Sequence, residues 1–365
     1  MDRMLRVGII GASAGRGWAK ISHVPAVQAL AGLTLGTVVT SDQRSADAAA
    51  RAFGAEKGYG DARDLFADPA IELVTIAVKV PDHRALALAA IEAGKHLYCE
   101  WPLGRDLAEA EELAAAARKA GVHAAIGLQT RMNPAARRAC DLIASGTIGR
   151  VLSARILSTT MAFGPKVEPA LAFAEDAANG VTLVTIQGGH TIDLAIAALG
   201  TFSEAGAMIT TQYPQVEVGD DAIGQPRSTP DHILLQARVA SGAAVSIEVA
   251  GGRPPDAVPF RFEVIGDGGS IVLDGGAARG FQSGRLRLLL NDEEQRVDEG
   301  ELAGLPDAAA NVAGVYAALR DDILNATATV PDFDHAARLS RLIDDMLASA
   351  GTGTRRPAAD WPQQA

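Results

Sequence analysis

The groups in this chain able to do chemistry are of two kinds, backbone and side chain. The backbone group is Arg6-Val-Gly-Ile-Ile-Gly-Ala-Ser-Ala-Gly-Arg-Gly-Trp18, an apolar run that enters a glycine-rich turn and then helix-compatible sequence. A strand, a tight turn and a helix N-terminus bring amide N–H groups and the positive end of a helix dipole to one point, which suits a pyrophosphate. Gly11, Ser13, Ala14, Gly15, Arg16, Gly17 and Trp18 are the candidate contacts. The spacing departs from G-x-G-x-x-G, because Ser13 and Arg16 stand at its second and third positions. Among side chains, His190 is an acid or base for work near neutral pH, or else a hydrogen-bonded structural histidine on a helix. Lys79 ends an apolar run, where an ammonium either reaches a ligand or simply faces solvent. Trp101 offers a large apolar face for stacking on a ring. Arg131 suits a carboxylate or sugar hydroxyls, or ties two domains together.

These groups need a scaffold, and the pattern supplies one. Strand-like runs at Leu33–Val39, Gly58–Tyr59, Leu73–Val78, Gly94–Pro102 and Ala124–Leu128 alternate with helical stretches at Pro25–Leu30, Ala46–Phe53, Ala62–Ala67, up to Ala93, and Leu107–Ala120. This alternation predicts a doubly wound parallel sheet, whose ligands sit at the carboxyl ends of the strands. The glycine-rich turn is the first βα turn of that series, so a dinucleotide is the expected ligand. Val78, Lys79 and Gln129 fall on the same edge. The second strand ends in Thr40-Ser41-Asp42, with Arg44 beyond. Asp42 is either the acid that bonds the ribose of NAD or a turn residue capping the next helix. Ser41 and Arg44 favour the 2′-phosphate of NADP, with NAD possible; the alternative is a solvated Arg44.

From Val151 the pattern changes to strands at Val151–Ser158, Ala207–Thr211, Ile233–Val239, Ala244–Val249, Phe260–Ile265, Ser270–Leu273 and Leu286–Leu290, joined by turns such as Gly266-Asp-Gly-Gly269. This predicts an α+β domain on a large open, mostly antiparallel sheet. Helices Thr182–Leu199 and Val312–Asn325 are expected to cover one face, and a second copy of the chain the other. The expected domains are residues 1–125 and 126–333, with a helix over 334–350 packing back on the first and a poorly ordered tail over 351–365.

Composition narrows the function classes. A formal net charge of −11 over 365 residues argues against nucleic acid and an anionic membrane surface. No apolar run approaches the roughly 20 residues needed to span a bilayer, and the first strand starts too near Met1 to leave room for a leader. Cys99 and Cys140 form no disulfide framework or metal cluster, so a reducing cytoplasm and no metal are expected.

Several segments resemble the Gfo/Idh/MocA group of oxidoreductases, named for glucose–fructose oxidoreductase, inositol dehydrogenase and rhizopine catabolism. They are Val7-Gly-Ile-Ile-Gly11, His23-Val-Pro-Ala26, Ala93-Gly-Lys-His-Leu-Tyr-Cys-Glu-Trp-Pro-Leu103, Arg131 with Pro134, Ile143–Gly149 and Gly189-His-Thr-Ile-Asp-Leu194. Val78-Lys-Val-Pro-Asp-His83, Leu128-Gln-Thr-Arg131 and Thr229-Pro-Asp-His-Ile-Leu234 narrow the likeness to the branch of the fungal galactose-pathway repressors, which bind a nicotinamide dinucleotide and regulate. The resemblance implies a Rossmann domain, a second α/β domain, a nicotinamide between them, and hydride transfer on a sugar-like substrate. It places His83, Glu100, Trp101 and Gln129 at the cofactor and Trp101, Arg131, Gln187 and His190 at the substrate. The family pattern also carries a lysine after the glutamate and an aspartate four residues before the histidine. Here those positions hold Trp101 and Ile186, leaving His190, with Lys79 as a replacement ammonium, for the proton. A regulator that binds the cofactor without turnover is the alternative.

Overall fold

The computed structural model describes residues 3–219, 224–254 and 260–357, which form two compact units: 3–129 with 299–337, and 130–298 with 338–357. In the first unit, β1 (Leu5–Ile10), β2 (Leu33–Val39), β3 (Lys57–Tyr59), β4 (Leu73–Ile76), β5 (His96–Glu100) and β6 (Ala124–Gly127) make one sheet in the order 3-2-1-4-5-6. Every adjacent pair is parallel. The four residues of β4 are all buried, as expected of a strand covered on both faces. The strand order reverses between β1 and β4, so the crevice outside their carboxyl ends is the place for a ligand.

The helices of this unit are α1 (Trp18–Ile21), α2 (His23–Ala29), α3 (Gln43–Phe53), α4 (Ala62–Ala67), α5 (His83–Glu92) and α6 (Leu107–Ala120). Their ends follow local chemistry. Asp42 and Asp106 accept from the amides of Ser45 and Glu109 at 2.9 Å, capping α3 and α6. Gly54 and Gly121 close the same helices in the left-handed conformation.

Asp68 pins the edge strand β3. It accepts from Lys57 Nζ at 2.8 Å, the Tyr59 hydroxyl at 3.1 Å and the Ala70 amide at 2.9 Å. Lys57 above all, then the Ala70 amide, lowers its carboxyl to about 2. The folded-state value lies below the unfolded one, so this stabilisation is complete above about pH 4 and disappears as pH falls towards 2. Asp68→Asn is therefore expected to melt lower than the native chain at pH 6, with the gap closing on acidification. A gap that is constant across a thermal-melt series from pH 6 to 2.5 would contradict this.

The second unit carries α7 (Pro134–Ala144), β7 (Val151–Thr159), β8 (Lys166–Val167), α8 (Gly189–Leu199), β9 (Phe202–Thr210), β10 (Gln215–Val218), β11 (Gly224–Pro226), β12 (His232–Val239), β13 (Ala244–Ala250), β14 (Phe260–Gly266), β15 (Ser270–Gly275), β16 (Leu286–Leu290) and β17 (Glu293–Glu294). With β18 (Arg356–Pro357), these strands form a nine-stranded sheet in the order 17-16-15-14-7-13-12-9-18 and a small sheet 11-10-8. The large sheet is antiparallel except for β7 with β13. One face buries Ala154, Ile156, Ile233, Leu235, Val245, Ile247, Phe262 and Val264. The other leaves Leu157, Met208 and Leu234 exposed beside ion pairs such as Arg155–Glu263.

The remaining helices, α9 (Asp307–Asn325) and α10 (Phe333–Thr352), differ from expectation. Residues 307–325 lie in the first unit, with α9 against α2. From residue 338 onwards α10 belongs to the second unit. An apolar stripe tells which face of a helix is buried and leaves open what it is buried against. The expected tail is ordered as far as Pro357, where Arg356 and Pro357 pair with β9; residues 358–365 lie outside the described ones. Among the described residues, no helix is long and apolar enough to cross a membrane and no group of His, Cys, Asp and Glu has a metal-binding arrangement.

Candidate functional site

The crevice outside β1 and β4 is built on Gly11. Its φ is +96°, and a Cβ there would stand 2.4 Å from the Ala77 carbonyl oxygen, so only glycine brings the turn this close to β4. Beyond it, Gly15, Arg16 and Gly17 are exposed, and Ser13, Ala14 and Trp18 are half-buried. Lys20, a residue the sequence reading passed over, donates to the carbonyls of Ala14 at 2.7 Å and Gly15 at 3.2 Å. In a trans peptide the N–H points opposite to the C=O, so the amides of Gly15 and Arg16 face away from that ammonium. The Gly15 amide meets Ser13 Oγ at 3.4 Å. Lys20 thus holds the turn that lacks two of the three fingerprint glycines.

At the end of β2, Asp42 caps its own helix while Ser41 and Arg44 are exposed. Val78 is half-buried and Lys79 exposed after β4. His83 is buried, with Nδ1 2.9 Å from the Pro102 carbonyl and Nε2 3.1 Å from that of Val78. Burial outweighs these two carbonyls and holds the ring below the ordinary imidazole range. Contrary to the expected cofactor contact, both ring nitrogens face protein carbonyls, so His83 shapes the exits of β4 and β5. Glu100 ends β5 with its side chain partly exposed and accepts from His23 Nε2 at 2.9 Å. Trp101 is buried and joined to Pro102 by a cis peptide. Gln129 follows β6 and is buried; its Oε1, like Trp18 Nε1, lacks a hydrogen-bond partner. A Cβ-free cradle at the switch point and two orphaned polar atoms fit a dinucleotide on this edge.

In the second unit, His190 and Asp193 lie buried on α8, which follows a π-helical turn over Val184–Gly188. That turn carries Gly188 N–H to the Leu183 carbonyl at 2.9 Å, five residues back. π turns occur frequently at functional sites. Ile186, the position of the family aspartate, is half-buried on it. Gln187 is corrected from a substrate contact to a support. Its Nε2 donates to Ser158 Oγ on β7 at 2.8 Å, and Ser158 lies 2.9 Å from Thr191 Oγ1, all of it buried. Arg131 forms an ion pair with Asp193 at 3.2 Å. Both residues belong to the second unit, so this carboxylate partner is its own neighbour and not a ligand. Burial pushes the Cys140 thiol up to about 11, which makes it a poor nucleophile.

Residues 5–128 match the family described as "Oxidoreductase family, NAD-binding Rossmann fold", and residues 134–275 match "Gal80p, C-terminal domain". The dehydrogenase aclE of Aspergillus oryzae is 30% identical, over 97% of this chain and 98% of its own length. The chain belongs to the Gfo/Idh/MocA oxidoreductase family. A second relative, the galactose/lactose metabolism regulatory protein GAL80 of Saccharomyces cerevisiae, is 31% identical over 75% of this chain and 67% of its own length. A super-repressor form of that protein superposes with a TM-score of 0.86 at 26% identity, covering 98% of each chain. Levoglucosan dehydrogenase of Pseudarthrobacter phenanthrenivorans is 32% identical over 62% of this chain and 61% of its own length. Gfo/Idh/MocA relatives of this chain thus include sugar dehydrogenases and regulators alike.

Proposed function

We propose that this chain is an NAD(P)-dependent oxidoreductase acting on a CH–OH group of a sugar, polyol or related small hydroxy or carbonyl compound. The observation that carries this reading is His190, a buried imidazole kept in the family's Gly-His-Thr-Ile-Asp segment, where Trp101 and Ile186 cannot exchange a proton. A bound nicotinamide supplies the hydride acceptor or donor. The chain does the rest. His190 takes the hydroxyl proton in oxidation and returns it in reduction. Glu100 accepts from a ribose hydroxyl, and Trp101 lays its indole against the nicotinamide or a sugar face. Lys79 is an exposed ammonium on the same strand edge, and Arg131, steadied by Asp193, turns its remaining N–H groups to sugar hydroxyls.

Asp42 is committed to the cap of α3, which leaves Ser41 and Arg44 for a 2′-phosphate and favours NADP(H) over NAD(H). Arg44→Ala is therefore expected to weaken NADPH about tenfold, as for a lost charge-assisted contact, and to leave NADH unchanged. Equal NADPH affinity in a fluorescence titration would refute the role. A second copy of the chain covers the outward sheet face around Leu157, Met208 and Leu234, and two free cysteines suit a reducing cytoplasm.

The regulator reading keeps a specific observation in its favour: two of three expected catalytic groups are replaced, in a chain whose second domain matches that of GAL80. A panel of keto-sugars and polyols with NADPH and NADH separates the two. Turnover that is lost in His190→Ala supports the enzyme. Saturable coenzyme binding without turnover on any member supports the regulator.

A further inference from the structure

A buried chain of hydrogen bonds leads from the core of the first unit to Glu100. Thr75 on β4 lies 2.6 Å from the hydroxyl of Tyr316 on α9, which lies 2.9 Å from His23 Nδ1 on α2. His23 Nε2 then reaches Glu100 Oε1 at 2.9 Å. Thr75, Tyr316 and His23 have no exposed surface; only Glu100 reaches the ligand edge. Residues 23, 75, 100 and 316 all belong to the same compact unit.

We propose that Thr75, Tyr316 and His23 act as a one-way positioning relay that fixes the carboxylate of Glu100, with His23 neutral and its proton on Nε2. The assignment follows from which groups can donate. An ionised carboxylate only accepts, so Nε2 donates to Glu100. In a neutral ring Nδ1 is then an acceptor, and the Tyr316 hydroxyl is the group placed to donate to it. That hydroxyl has one proton, so it accepts from Thr75. Every polar atom in the series is satisfied in one direction, from Thr75 outwards. The opposite arrangement needs an imidazolium with no solvent contact, in a ring packed between Tyr98 and Tyr316. The ring is held edgewise by Tyr98 and Tyr316, at centroid distances of 5.0 and 5.7 Å and interplanar angles of 77° and 90°.

Gly127 on β6 closes the other side. A Cβ there would come within 3.0 Å of both the Cα and Oε1 of Glu100. With Oε1 held between His23 and the β6 backbone, Oε2 is the oxygen left for a ligand hydroxyl. This step rests on the reading above that Glu100 binds the ribose on the nicotinamide side.

The test uses the full chain without and with coenzyme. Ring ¹⁵N shifts of His23, recorded without nucleotide between about pH 6 and 8, are expected to show the neutral Nε2–H tautomer, with the Nδ1 resonance moving in Tyr316→Phe as its hydrogen bond is lost. A doubly protonated ring, or the Nδ1–H tautomer, would overturn the relay. With coenzyme, Tyr316→Phe and His23→Asn are expected to weaken binding about 3- to 10-fold, as for one lost hydrogen bond. His23→Gln, whose amide nitrogen can stand near Nε2, is expected to restore most of the affinity. Melting curves check that each variant folds. If all three variants bind like the native chain, the relay fails. If Glu100→Gln binds unchanged, the ribose reading fails instead, and the nucleotide-free spectra still decide the relay.

Discussion

His190→Ala is expected to lower the rate of hydride transfer by about 10²- to 10⁴-fold, the usual contribution of one positioned acid or base, while coenzyme binding changes by less than about twofold. The asymmetry follows from where the group sits. The coenzyme-binding elements, from Gly11 to Gln129, belong to the first unit, whereas His190 is on α8 in the second. His190 lies one residue before Thr191, whose hydroxyl with Ser158 and Gln187 anchors the π turn to β7. The helix therefore keeps its place when the imidazole is removed, and a thermal melt of the variant checks this. Stopped-flow decay of reduced-coenzyme fluorescence reads the chemical step. Unchanged decay in His190→Ala, together with loss in Lys79→Ala, would move the proton to the exposed ammonium after β4. Retention in both would leave neither group a part in the reaction.

What could be read from the sequence, and what could not, divides along physical lines. Leu73–Ile76 announces a central parallel strand because burial on both faces demands a continuous apolar run. The same holds for the glycine-rich turn, where a contact at 2.4 Å leaves no choice of residue at Gly11. The π turn before α8 was not legible, since one extra residue barely disturbs apolar periodicity over a buried stretch. Strands of two residues, such as Lys166–Val167, carry too little pattern to be seen. Lys20 reads as an ordinary exposed lysine until its two carbonyls are placed beside it. The resemblance implies Gln187 at the substrate, but neighbours on a helix point different ways, and this one points at Ser158. Tyr316 illustrates the hardest case: its partners His23 and Thr75 lie 293 and 241 residues away.

Arg227→Met is expected to cost the second unit about 3–5 kcal/mol, the usual penalty for removing one partner of a buried charge pair. The Arg227 side chain is wholly buried. Its Nε donates to Glu175, its Nη1 to the Phe163 carbonyl at 2.9 Å and to Asp231 at 3.2 Å, and its Nη2 to the Gly164 carbonyl at 2.8 Å. Asp231, from the Thr229-Pro-Asp-His segment, also accepts from the amides of Gln212 and Tyr213 at 2.7 and 2.8 Å. One guanidinium thus ties the segments of Phe163–Gly164, Glu175 and Asp231 together, with Asp231 in turn holding Gln212 and Tyr213, and methionine fills its volume without replacing a single donor. Two buried carboxylates, Glu175 and Asp231, then lose their shared counter-charge. The melting temperature should fall by on the order of 10 °C, given about 2–4 °C per kcal/mol for a unit of this size. A thermal melt of the variant beside the native chain reads this loss directly. A loss below about 1 kcal/mol would show that the loops are held by packing and not by this cation.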